Sequence, residues 1–109
     1  MEALRRVKSL AKHIKDKKGE DILLLNLRKI SPITDYFVIA TGLSSIHTRA
    51  IADSLIEKYK PHHCEGIESA KWILLDYLDF IIHIFTKETR EFYGLERLWG
   101  DAPRIDIDG

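Results

Sequence analysis

The sequence predicts an α/β (mixed α+β) domain: a mixed sheet of four or five strands with helices on both faces. Three observations carry this. The stretches DILLLNL at 21–27 and YFVIAT at 36–41 are short, continuously apolar and bounded by turn chemistry, which suits buried strands better than helices. KWILLDY and FIIHIFT follow one another at 71–77 and 80–86 with almost nothing between them, so they form an antiparallel hairpin. Both hairpin strands are apolar on both faces. Trp72, Leu74 and Asp76 alternate with Ile73, Leu75 and Tyr77, and Ile81, His83 and Phe85 alternate with Phe80, Ile82 and Ile84. A sheet of that kind must be covered on both sides.

The elements follow in order. Leu4, Val7, Leu10, Ala11 and Ile14 recur at helical spacing, predicting an amphipathic helix over 2–18 that Gly19 ends. SPITD after the first strand is a turn. Gly42 breaks the second strand, and Ser44 or Ser45 offers a hydroxyl to the open amides of a helix reaching Lys60, just before Pro61. Thr48, Ile51, Ala52, Leu55, Ile56 and Tyr59 form its buried stripe. PHHCEGIESA is irregular, with a brief strand around Cys64. In the last helix Phe92, Leu95 and Trp99 fall together with Leu98 beside them and are expected in the core, Arg90 and Arg97 lying opposite. Tyr93 and Glu96 are left free for other work. Residues 1–103 form one domain, and 104–109, with little to bury, are expected as a loose tail.

Composition narrows the function. The chain has 109 residues, 45% of them hydrophobic, enough for one core without staples. No apolar stretch approaches the ~20 residues that span a bilayer, so no membrane role is expected. The charged N-terminal stretch lacks a secretory signal's apolar segment, and Cys64 has no disulfide partner in the chain; both point to a reducing cytoplasm. With 17 basic and 17 acidic residues, the chain lacks the surplus of a phosphate-gripping protein, and little or no direct RNA binding is expected. The basic first helix is the one candidate, and a solvated face is its plainer reading.

Chemistry is sparse. In HHC at 62–64 only His62 and Cys64 can point the same way on an extended chain, too few ligands for zinc. His83, mid-strand between isoleucines, reads as a core histidine. TGLSS is a strand–glycine–serine–helix turn of the type that holds phosphate. The Asp-x-Asp pair that a nucleotidyltransferase needs for magnesium does not follow; Asp53 and Glu57 lie on the helix, while Asp76 and Asp79 flank a turn. No cofactor or metal is expected. What remains is a polar-aromatic set, Glu65, Trp72, Asp76, Tyr77, Asp79, Tyr93 and Glu96, in which tryptophan and tyrosine are residue types favoured as interface anchors. For Trp72, core and anchor are both open.

Several blocks along this chain resemble the Iojap family of ribosomal silencing factors, known in bacteria as RsfS. They are Asp21–Ile22, ITDYFVIATG ending at Gly42, Ser44–Ser45, Ile51–Asp53, Glu65–Gly66, A-x-WILLDY from Ala70 to Tyr77, Asp79, His83 with Phe85, Arg90, and FY-x-LE-x-LW from Phe92 to Trp99. The family usually has glycine where this chain has Leu78, which suggests a left-handed turn. The resemblance implies a nucleotidyltransferase-like fold without enzymatic activity. It also implies binding to the large ribosomal subunit at its fourteenth protein, which blocks joining with the small subunit when nutrients run short. On that basis Trp72 is the expected anchor, Leu74 extends its patch, and Glu65, Asp76 and Asp79 pair with basic residues, with Tyr77 beside them. Tyr93 and Glu96 are weaker candidates, or a homodimer surface. The rival readings are a phosphoryl-transfer enzyme using Gly42–Ser45 and an RNA-binding module using the first helix.

Overall fold

The computed structural model describes residues 2–108. Helix α1 (Glu2–Asp16) leads into strands β1 (Glu20–Asn26) and β2 (Tyr36–Gly42). Helix α2 (Ser45–Lys58) is followed by β3 (His63–Glu65), β4 (Trp72–Asp76) and β5 (Phe80–Thr86), then by two short helices, α3 (Lys87–Tyr93) and α4 (Leu95–Leu98). The strands form one five-stranded sheet in the order β1-β2-β5-β4-β3. Only the central β2–β5 pair is parallel.

Alternation along the strands sorts the core into two layers. Val38, Ala40, Ile73, Leu75, Ile82 and Ile84 face α1 and α2, where Val7, Leu10, Ile14, Ile51 and Leu55 close the larger cluster. On the opposite face Leu25, Phe37, Ile39 and Phe85 meet Ala102, Leu95 and Trp99 from the chain's last quarter. The expected cover on both faces is present, but it is unequal. The second layer lies over β1, β2 and β5, while Trp72, Leu74, Asp76 and Ile81 on the same face stay only part-buried and His63 and Glu65 stay exposed.

Two expectations are corrected. The last helix is not continuous: Gly94 takes a left-handed φ of 55° and divides it into α3 and α4. The break rotates the apolar residues apart, so Leu95 and Trp99 pack on the sheet while Phe92 and Leu98 are 78% and 76% exposed. The expected tail is not loose over the described residues. The Asn26 amide donates to the Pro103 carbonyl and the Ile105 amide to the Leu24 carbonyl, both at 2.8 Å, so 103–105 run along the outer edge of β1. Ile105 and Ile107 also pack on the helix-side cluster. An edge strand's unpaired groups are a sink for any neighbouring backbone, and the sequence pattern did not count this pairing. Gly109 lies outside the described residues.

Candidate functional site

The cross-strand register brings the site together. Glu65 lies opposite Leu74, which lies opposite His83; His63 lies opposite Asp76, which lies opposite Ile81; Trp72 lies opposite Phe85. Partners across a ladder share a face. Glu65, Trp72, Leu74 and Asp76 therefore stand together on the half of the sheet that α3 and α4 leave open. Asp79 is exposed at the tip of the β4–β5 turn, at the Asp76 end of this strip.

Trp72 is both packed and presented. Its ring lies 4.9 Å from Phe85 and 4.9 Å from Tyr93, so α3 supports the indole from one side. Its Nε1–H donates to Nδ1 of His83 at 3.1 Å, which leaves the ring's remaining surface apolar. His83 is buried, and burial lowers its pKa to about 4, so at neutral pH it is the uncharged acceptor that this hydrogen bond requires. Its Nε2 has no hydrogen-bond partner. Glu65 pairs with His63 Nε2 at 2.9 Å, an exposed contact that a partner's cation can replace. Asp76 Oδ1 accepts from the Leu78 amide at 2.8 Å, so this carboxylate also shapes the turn.

Two of the sequence candidates stand elsewhere. Tyr77 points to the helix side and is buried, stacked 5.3 Å from Tyr59, with its hydroxyl donating to the Tyr59 carbonyl at 2.7 Å. Burial raises its pKa, with Tyr59 and Cys64 adding to the shift. Alternation puts Tyr77 opposite Asp76, not beside it. Glu96 is not free: its two oxygens accept from Nε and Nη2 of Arg90 at 3.0 and 3.1 Å. That hydrogen-bonded guanidinium is the first cause of its lowered pKa. Tyr93, by contrast, reaches the strip through Trp72.

The sequence reading missed His63, Ile81 and Phe92. The first two share the Asp76 row, His63 through the register of β3 on β4 and Ile81 through that of β4 on β5. Phe92 meets Tyr93 edge-on at 5.0 Å and extends the aromatic surface outward.

The glycine–serine turn is occupied from within. The Leu43 amide donates to His47 Nδ1 at 2.9 Å, the His47 amide to Ser44 Oγ at 3.2 Å, and the Thr48 amide to the Ser44 carbonyl at 2.9 Å. A Cβ on Gly42 would stand 2.6 Å from Thr48 Cγ2, so close approach of α2 accounts for that glycine. Among the described residues no three His, Cys, Asp or Glu side chains gather as metal ligands, and no helix is long and apolar enough to cross a membrane.

Residues 1–109 match the model of the family described as ribosomal silencing factor during starvation, RsfS. The chain belongs to that family. It is 40% identical over 101 residues to the ribosomal silencing factor RsfS of Halalkalibacterium halodurans, covering 88% of this chain and 86% of that one. The Bacillus subtilis RsfS is 41% identical over 98 residues, with 85% and 83% covered. A crystal structure of a Chromobacterium violaceum protein superposes with a TM-score of 0.80 at 30% identity, covering 88% of this chain and 85% of that one. The mouse protein named for mitochondrial assembly of the ribosomal large subunit is 33% identical over 94 residues, 79% of this chain and 41% of its own length. The family's mixed sheet with helices is thus the fold of this chain.

Proposed function

We propose that this protein is a ribosome-associated repressor of translation that docks on the large subunit through the open β3–β4 face, at the subunit's fourteenth protein. The observation that carries the reading is the strip itself: a supported tryptophan and Leu74 at the centre, with Glu65, Asp76 and Asp79 at the rim. An apolar centre with an acidic rim fits a basic protein surface, and ribosomal proteins are generally basic. The family's name, and the large-subunit name of the mouse relative, support the same partner. Repression is steric: a body of 34 × 29 × 25 Å seated on the joining face excludes the small subunit. No catalytic step is needed, and the Leu43, His47 and Thr48 amides at the Gly42–Ser45 turn already donate within the chain. The place of action is the cytoplasm.

The test is co-sedimentation with purified large and small subunits. Wild-type protein is expected with the large subunit alone and, added before mixing, to reduce joined ribosomes. Trp72→Ala is expected to weaken the binding by more than about tenfold, as truncated interface anchors do. Glu65→Lys, at an exposed position that leaves packing intact, is expected to weaken it as well. Wild-type-like binding by both variants would exclude this face.

A further inference from the structure

The chain's charge is balanced in total and divided in space. Of the 17 basic and 17 acidic residues, positions 1–18 hold seven basic and two acidic, leaving ten basic and fifteen acidic for the rest. That makes the first helical stretch +5 and the remainder −5. Helix α1 lies on the side of the sheet opposite the Trp72 strip. Its polar face does not stand alone, because α2 runs beside it and brings Lys58 across. The two helices enclose a groove of about 430 Å³ lined by Arg5, Lys8, Lys12, His13 and Lys58, with Asp16 the one carboxylate among its described lining residues.

Other cations of α1 are engaged within the fold. Arg6 pairs with Glu2 at 3.3 Å and lies 4.5 Å over the Tyr59 ring, and Lys15 pairs with Asp108 at 3.3 Å. Arg5, Lys12 and Lys58 are exposed. His13 donates through Nε2 to Ser54 Oγ at 3.2 Å, since that hydroxyl already donates to the Ile51 carbonyl at 2.8 Å. The pKa of His13 is lowered by burial first, then by Lys58 and Lys17, in keeping with a positive field across the groove.

We infer that the groove between α1 and α2 binds the phosphodiester backbone of RNA. The chemistry of the lining selects this occupant. A membrane surface requires apolar side chains beside the cations, whereas the apolar stripe of α1 (Val7, Leu10, Ile14) is buried against the sheet. An acidic peptide would need an apolar anchor point, and the lining has none. A ribose-phosphate chain presents fully ionised groups in series and needs only cations. The protein then has two faces of opposite chemistry: an acidic, aromatic strip for a basic protein, and a basic groove for RNA on the far side. The inference stands apart from the docking proposal, because it concerns naked RNA and other residues.

The probe is a fluorescent single-stranded RNA of about 20 nucleotides, titrated with the full chain by anisotropy at several salt concentrations. Three engaged cations predict a log–log salt slope of about −2. The double variant Lys12→Glu with Lys58→Glu, both at exposed positions, is expected to lose at least about tenfold in affinity and to flatten the slope by at least about one unit. His13 side-chain resonances are expected to move when RNA is added to the wild type. Absence of binding by the wild type at about 50 mM salt, or binding by a folded double variant within about twofold of wild type, would overturn the inference. Co-sedimentation of the Trp72 variant reads the docking strip separately, so the two proposals fail independently.

Discussion

At the scale of the residue, Leu78 and His83 each hold an energetically unusual position. Leu78 takes a φ of 72°, so the turn keeps the left-handed geometry that family glycine suggests, with a leucine in it. The side chain is 58% exposed, and the turn's hydrogen bonds, Leu78 amide to Asp76 Oδ1 and Thr34 Oγ1 to the Leu78 carbonyl, use backbone atoms of Leu78. Leu78→Gly therefore relieves the Cβ clash and loses little burial. It should stabilise the fold by about 1 kcal/mol, less the entropy glycine adds to the unfolded chain. A thermal melt should show Tm raised by a few degrees, and an unchanged or lowered Tm would count against the strain. At His83 the folded pKa is about 4 against an ordinary 6.5, so between those values the unfolded chain binds the extra proton. The stability tied to the neutral ring is complete above about pH 6.5 and is lost as pH falls toward 4, on the order of 3 kcal/mol in all. Urea titrations between pH 7 and 5 should show this decline, and His83→Gln should flatten it. Equal slopes in the two proteins would place the effect elsewhere.

At the scale of the element, the segment after β5 shows how one pair of side chains holds a broken helix in place. Arg90 donates to both oxygens of Glu96, to the Asp21 carbonyl and to Thr41 Oγ1, joining α3, α4, the start of β1 and the end of β2. Its side chain is only 11% exposed. Arg90→Ala leaves the Glu96 carboxylate part-buried without that partner, and a loss of about 3 kcal/mol in urea denaturation is expected. Trp99 packs through the same segment and should become more accessible to a fluorescence quencher. If stability and quenching are unaltered, the pair does not hold the segment. Periodicity favours one continuous helix from Arg90 to Trp99, but Gly94 interrupts it. The end of α1 shows a similar exchange: Lys18, with a φ of 69°, takes the left-handed position expected near Gly19. Gly19 is needed instead for its small size, as a Cβ there would stand 2.4 Å from Ile14 Cγ2.

At the scale of the whole molecule, the sheet separates two surfaces. One carries the strip from Glu65 through Leu74 and Trp72 to Tyr93, and the other carries α1, α2 and the basic groove. The docking test on Trp72 and the RNA test on Lys12 with Lys58 belong to this scale, because each depends on which layer covers which side. A neutral total charge suggested little contact with RNA. It is also what two opposed patches of equal size produce, and a sum over the chain cannot tell the two apart.

The sequence by itself determined the order of the strands and of the first two helices, both faces of the hairpin, the buried stripe of α1, that of α2 as far as Leu55, and the core position of His83. These follow from periodicity and local chemistry, which a linear pattern records. Only the tertiary structure decided that Tyr77 belongs to the helix-side core, that Glu96 belongs to Arg90, and that 103–105 lie along β1. It also decided that the second layer stops short of β3 and β4. Those outcomes rest on contacts between residues far apart in the chain, where register and coverage decide which side chains meet a partner within the fold and which remain available to another molecule.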